Sequence, residues 1–437
     1  MLHLTDLRNT TYDPATVMPR AKLEISDASA IVEPIIDKVK KGGAEAVLEL
    51  TEQFDRVRPA SLRVPAAALD QALDELSEDV RAALEESIRR ARAVHAAQLP
   101  ADTVVPLADG AVVENHWIPI QRVGLYVPGG RAVYPSSVIM NVVPAQAAGV
   151  PGIAVTSPPQ ADFSGLPHPT ILAACKLLGV DEVYATGGAQ AIAMLALGAD
   201  DDAGHQVCAP VDLITGPGNV YVAAAKQAFF GRVGIDAVAG PSEILVLADE
   251  TANPAWVAAD LISQSEHDPL AASVLVTTSM DFAQAVIAQI EAQVPGAVLE
   301  DQIRQALTGQ QSGALVVGTM EEAIEVTNAI ATEHLEIHTA DDAAVLEKIT
   351  HAGAVFLGPY APVPLGDYSA GSNHVLPTSG TARFSSGLNT VSFLRLQQRI
   401  RYDKTGLAPL ADGIQALAAS EGLHAHADAI AQRFNDL

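Results

Sequence analysis

Glu333 and His334 stand side by side just ahead of the apolar segment 335–339. An adjacent carboxylate and imidazole can divide water activation from proton transfer. A second reactive group is Gln264-Ser265-Glu266-His267-Asp268, at the end of a helical stretch. Gln264 and His267 are three residues apart and can share a helix face. Asp367 lies in the loop Leu365-Gly366-Asp367-Tyr368, and Glu421, His424 and His426 sit in the tail. Histidine, aspartate and histidine suit zinc, with a glutamine as a weaker oxygen donor. Such scattered ligands have no diagnostic spacing, and ordinary polar residues at loops and caps account for them as well on pattern alone. His338 follows His334 by four residues, a ligand pair on a helix but about 13 Å apart on a strand. The extended reading removes the pair, and His338 becomes a strand surface residue. His374, in the polar loop 372–378, is close in sequence to Asp367. His95 reads as a solvated helix residue, and His116, His205 and His351 have no convincing partner.

Four glycine turns add a binding signal. They are Gly124-Leu125-Tyr126-Val127-Pro128-Gly129-Gly130, Thr186-Gly187-Gly188-Ala189-Gln190, Thr215-Gly216-Pro217-Gly218-Asn219 and Ala239-Gly240-Pro241-Ser242-Glu243. Glycine lets a ligand approach backbone N–H groups. Ligands of open α/β sheets collect at the carboxyl ends of strands. One such turn says little, but four in one α/β region indicate a cleft. The familiar signatures are missing. No G-x-G-x-x-G opens a helix, no lysine follows a glycine as a Walker loop requires, and neither H-E-x-x-H nor G-x-S-x-G occurs.

The elements that must position these residues follow from periodicity. Helical spacing covers 28–40, ending at Gly42-Gly43, then 45–54. The Ala/Leu-rich stretch 66–98, between Pro65 and Pro100, reads as two joined helices. Residues 112–120 look extended. Strands at 123–127, 152–156, 182–185 and 211–215 alternate with helices at 138–148, 170–178, 189–197 and 220–230. A second series has strands at 244–247, 273–277, 314–317, 335–339 and 354–357, with helices at 254–263, 281–292, 321–331 and 343–350. Near-continuous apolar strands fit parallel sheets covered on both faces. From Tyr360 the chain is loop-rich, and helices are expected at 390–401 and at 407–431 with a break near Gly422.

The chain has 437 residues, 49% of them hydrophobic, which excludes disorder of the whole. Its formal charge of −26 argues against a general nucleic-acid surface. Cys175 and Cys208 cannot form a disulfide framework and read as buried small residues. No signal peptide is evident, and no stretch reaches the about 20 apolar residues of a membrane span. The default expectation is a cytoplasmic protein without a membrane partner.

Taken together, these turns and loops resemble the histidinol dehydrogenase family over almost the whole chain. The resemblance rests on 123–130, Gly187-Gly188-Ala189-Gln190-Ala191-Ile192, Gly216-Pro217-Gly218-Asn219, 235–243, Gln264-Ser265-Glu266-His267, Glu333-His334-Leu335-Glu336, 366–371, 373–378 and Glu421-Gly422-Leu423. Asp268 stands where the family commonly has glycine. The resemblance implies a zinc-dependent enzyme of amino-acid biosynthesis. It would oxidise L-histidinol to L-histidine through bound histidinaldehyde, with two NAD+ used in succession. It implies two incomplete Rossmann-like domains with parallel-rich sheets and helical terminal pieces. The expected divisions are an arm at 1–25, one domain from 26–122 with 240–380, a NAD-binding domain at 123–239, and a tail at 381–437. By the family pattern Gln264, His267, Asp367 and His426 hold zinc, and Glu333 and His334 form the acid/base pair. Tyr126, Gln190 and Asn219 contact NAD. Ser242, His374 and Glu421 contact substrate, together with His334 and the metal ligands. A homodimer with active sites shared between subunits is also implied.

Overall fold

The segments Arg122–Tyr126 and Glu243–Ala248 have almost no polar face to offer water. Each becomes the first strand of a parallel sheet covered on both sides, with Leu125, Leu245 and Val246 fully buried. The structure is a computed structural model that describes residues 2–21, 25–129 and 133–435. Gly130 of the first glycine turn lies outside the described residues.

The first sheet contains Arg122–Tyr126, Gly152–Ser157, Val183–Ala185, Leu213–Thr215 and Gly234–Ile235, all parallel. Numbered along the chain, these strands lie in the order 5-4-1-2-3. The second sheet contains Glu243–Ala248, Ala272–Thr277, Gly313–Val316, His334–His338 and Ala354–Leu357 in the same order. Leu4–Asp6 adds a parallel edge strand beside Gly313–Val316. Both sheets thus carry the 3-2-1-4-5 portion of the Rossmann order and lack its sixth strand. In each, the order reverses between strands 1 and 4, the place where such folds open a crevice.

The amino-terminal helices pack on helices of the first sheet. Helix Ile25–Asp55, kinked at Gly43, lies on Gly188–Leu197 and Val220–Phe229. Ala66–Asp74 packs on Pro169–Leu177, and Glu78–Ala97 packs on Pro135–Ala147. These contacts set the helices of 26–122 on the helices of 123–239, and Ser87 Oγ also donates to Tyr368 O of the later segment. The apolar faces of the first three helices close the cores that the first sheet leaves open. His95 is buried in Glu78–Ala97, not solvated, with Nδ1 2.8 Å from Gln98 Oε1. Both cysteines are buried.

The helix expected at 390–401 is instead a short 3-10 turn, Thr390–Phe393, followed by strand Leu394–Tyr402. That strand pairs antiparallel with Ala111–Pro119, which also pairs with Thr103–Ala108. Leu394, Leu396, Ile400 and Tyr402 have the period of a strand, and a partner almost 300 residues away in sequence, Trp117 opposite Leu396, decides it. Beyond it the tail forms Ala411–Ser420 and His424–Ala431, separated at Gly422. Among the described residues no helix is long and apolar enough to cross a membrane.

Candidate active site

Glu333 is the last residue before strand His334–His338, and both members of the pair are buried. The neighbouring strand begins at Glu243, whose main chain meets them both. Its N–H donates to Glu333 Oε2 at 2.9 Å. Its carbonyl lies 3.1 Å from His334 Nδ1. A carbonyl only accepts, so Nδ1 carries the proton and Nε2 keeps its lone pair. That Nε2 is buried and has no partner among the described residues. Burial pushes His334 down to about 3. Burial, then the charges of Glu243 and Asp367, pushes Glu333 well above the ordinary carboxylate range. Burial thus favours the uncharged form of both members of the pair. The pattern reading missed Glu243 because it works through its backbone, which side-chain spacing does not reveal.

Gln264 lies in the last turn of Pro254–Ser265, and His267 follows that helix. Gln264 is buried, and neither of its amide atoms has a partner among the described residues. His267 Nε2 stands 4.0 Å from Asp367 Oδ2, and Asp367 Oδ1 stands 3.8 Å from His374 Nδ1. Burial raises the Asp367 carboxyl to about 6 and lowers His374 to about 4. It lowers His267 as well. His374 Nε2 is 3.2 Å from Ser137 Oγ. Ser242 adjoins Glu243, and its carbonyl accepts from Ala272 N at 3.0 Å.

Asp367 sits on a short helix, Val363–Tyr368, in a stretch the pattern reads as loop. The first N–H of that helix, from Val363, donates to Glu336 Oε1 at 2.8 Å. Glu336 belongs to a buried cluster with Asp260 and His338, separate from His267 and Asp367. His338 is consequently no surface residue. It faces Glu336 at 3.3 Å because buried carboxylates recruit nearby donors. His116 and His205 also have carboxylate partners, Asp102 and Asp201. Among the described residues, no contact joins His426 or Glu421 to the cluster. Both are exposed on the tail, whose helix His424–Ala431 packs on Ala411–Ser420.

Tyr126, Gln190 and Asn219 come from three carboxyl-edge turns of the first sheet. Tyr126 is buried, its hydroxyl oxygen accepts from Gly188 N at 3.1 Å, and burial raises it to about 12. Gln190 Nε2 is buried and has no partner among the described residues. Asn219 Oδ1 caps helix Val220–Phe229 through Tyr221 N and Val222 N, leaving the amide NH2 to donate elsewhere. Gly216 has φ +115, and a Cβ there would lie 2.0 Å from Tyr126 O, so only glycine fits. Asp236 accepts from Gly216 N at 2.8 Å, and Lys226 Nζ donates to Gly216 O at 3.1 Å. Lys226 and Asp236 also pair with each other in the interior.

One cavity of about 770 Å3 is lined by Tyr126, Gln190, Asn219 and His267. The expectation of ligand turns at carboxyl ends holds for the first sheet only. Glu243 and His334 lie at the amino ends of strands 1 and 4 of the second sheet. The cavity itself meets the second sheet through His267, which precedes strand Ala272–Thr277 at that sheet's amino edge.

Comparison with known proteins gives this geometry a context. The sequence model of a family described as Histidinol dehydrogenase matches residues 18–434. The chain is 57% identical over 428 residues to a histidinol dehydrogenase of Thermobifida fusca, covering 98% of this chain and 96% of that one. It is 56% identical over 435 residues to one of Nocardia farcinica, covering 99% and 98%. A crystal structure of histidinol dehydrogenase from Elizabethkingia anophelis superposes with a TM-score of 0.92 at 34% identity, covering 99% and 98%.

The chain belongs to the histidinol dehydrogenase family.

Membership in the histidinol dehydrogenase family makes the chain a NAD-dependent oxidoreductase of amino-acid biosynthesis. The cavity fits that assignment physically. Its volume lies in the range of cofactor pockets. It holds an unpartnered amide donor at Gln190, and two helices, Gly188–Leu197 and Val220–Phe229, begin at its wall. Helix amino ends attract phosphate. The residues around His267 also fit a cation. His267 and Asp367 stand too far apart for a hydrogen bond, and the Gln264 amide oxygen, three residues before His267, has no partner among the described residues. Nitrogen and oxygen donors of this kind suit zinc.

Proposed function

We propose that this chain oxidises L-histidinol to L-histidine in two NAD+-dependent steps at one site, holding histidinaldehyde between them. The observation that carries this reading is the single cavity reaching from Tyr126, Gln190 and Asn219 to His267, with His334 Nε2 free to accept a proton.

The roles follow from the local chemistry. Tyr126, Gln190 and Asn219 seat the dinucleotide. His334 Nε2 takes the hydroxyl proton as hydride leaves the alcohol carbon, and serves again when the hydrated aldehyde is oxidised. Nδ1 stays bound to Glu243 O, so the tautomer does not change between steps. Glu333 takes a proton from the water that adds to the aldehyde. It must first ionise, and positive charge near Asp367 favours that. Gln264, His267 and Asp367 would hold zinc, completed by His426 of a second copy in a homodimer. Zinc would supply a Lewis acid that orients the substrate amine and imidazole. Ser242, His374 and Glu421 complete the substrate contacts.

Progress curves with product analysis test the reading. Two NADH per histidinol, with histidine as product, are expected, and metal chelation should abolish turnover while leaving far-UV circular dichroism intact. One NADH with free aldehyde accumulating would refute the second half.

A further inference from the structure

Asp55 is the last residue of the kinked helix Ile25–Asp55 and lines the same cavity as Tyr126, Gln190 and Asn219. Its Oδ2 is buried and has no hydrogen-bond partner among the described residues. The placement is unfavourable in two ways. A carboxylate at a helix carboxyl terminus opposes the helix dipole. Burial pushes its pKa up to about 6, with no neighbouring charge among the described residues offsetting it. A buried acceptor left open in a native cavity calls for a donor that is not part of the chain.

The surroundings narrow the donor. Phe54, Ile31 and Ile35 line the cavity beside Asp55, and Phe54 and Ile31 remain exposed. An apolar wall next to a lone carboxylate matches a flat aromatic base joined to a diol. The phosphate-attracting helix ends at Gly188 and Val220 lie in the same cavity. Base, diol and phosphates together make an adenosine diphosphate. Rossmann folds place an acidic residue on the ribose hydroxyls of NAD, whereas a cation nearby accommodates the 2′-phosphate of NADP. Here no glycine fingerprint announces the acid, and a helix outside the sheet supplies it.

We propose that Asp55 accepts hydrogen bonds from the adenosine-ribose hydroxyls of NAD+ and excludes the 2′-phosphorylated cofactor. Asp55 is thus a specificity residue rather than a catalytic one, and the proposal rests on the dinucleotide reading of the cavity. A 2′-phosphate would bring two negative groups together in a poorly hydrated space, which costs far more there than in water.

Equilibrium binding without substrate tests this directly. NADH and NADPH are titrated against the full-length protein, followed by their own fluorescence, for wild type, Asp55→Asn and Asp55→Ser. Wild type should prefer NADH. Loss of a charge-assisted hydrogen bond should weaken NADH about ten- to a hundredfold, while NADPH binding stays or improves, so the preference narrows. AMP should displace NADH from wild type, and adenosine 2′,5′-bisphosphate, which keeps the 5′-phosphate, should not. Thermal melting checks the fold, and Asp55→Asn decides if Asp55→Ser does not fold. Equal weakening of both nucleotides, or an unchanged preference, overturns the role of Asp55 while leaving the cavity a cofactor site. Failure of wild type to bind NADH overturns both.

Discussion

At the scale of single residues, the site depends on burial acting on two adjacent groups in opposite directions. His334 is held neutral, with its pKa down at about 3, and the Glu333 carboxyl is pushed up, well above the ordinary carboxylate range. The same main-chain unit of Glu243 touches both. This predicts a separable pair of defects. Glu333→Gln keeps an oxygen for the Glu243 N–H, so the fold should survive while water activation is lost. The aldehyde step should fall much further than the alcohol step. His334→Asn should damage both steps, because one proton acceptor serves twice. Losses of about 10²–10⁴-fold are expected for a general base. Assays started from histidinol and from supplied histidinaldehyde separate the two halves, and equal losses in both for Glu333→Gln would refute the division. The residue types of this pair were legible in the sequence. Their protonation was not, since burial comes from strands and helices distant in the chain. His95 and His338 show the same blindness, because a histidine that looks solvated on one element is sealed by another.

At the scale of elements, most βα units were legible because buried parallel strands and amphipathic helices leave different periods in the chain. Strand Leu394–Tyr402 was not, because only its distant partner Ala111–Pro119 settles its form. Nor was the short helix Val363–Tyr368, which is anchored by Glu336 of strand His334–His338. Glu336 draws in a further constraint. The Asp260 carboxyl on helix Pro254–Ser265 is raised from 3.8 to about 8, first by burial and then by the charge and hydrogen bond of Glu336. Between those two values the folded chain keeps a proton that the unfolded chain releases. Stability from this group is therefore full at low pH and is lost as pH rises toward about 8. Asp260→Asn places a permanent donor where that proton sits. The melting-temperature difference between wild type and Asp260→Asn should shift in favour of the variant between pH 5 and pH 8. A difference that does not change with pH would show that Asp260 is not the proton holder.

At the scale of the whole molecule, the proposed zinc set is split, because among the described residues the tail carries His426 without a contact to His267 or Asp367. His426 and Glu421 are exposed on the tail, while His267, itself partly open to solvent, stands 4.0 Å from the half-buried Asp367. The tail and the three-stranded ribbon beside it also expose large apolar residues, among them Leu417 at 67%, Val104 at 62% and Ile400 at 72%. Apolar surface of that extent suits a second copy, and a two-fold pair would bring each tail to the other's site. Subunit mixing tests whether the site is shared. His267→Ala and His426→Ala proteins should each be inactive. If sites are shared, a mixed dimer collects both lesions in one site and leaves the other intact. With random exchange half the dimers are mixed, and half of their sites work, so activity should recover to about one quarter of wild type. If the tail folds back onto its own chain, every subunit keeps its own lesion and no activity returns. Exchange must be followed independently, by mass-tagged subunits, so that a silent mixture is informative. Confirmed exchange without recovery would place His426 outside the partner's site. It would leave Gln264, His267 and Asp367 as an open three-ligand set, the form that catalytic zinc sites commonly take.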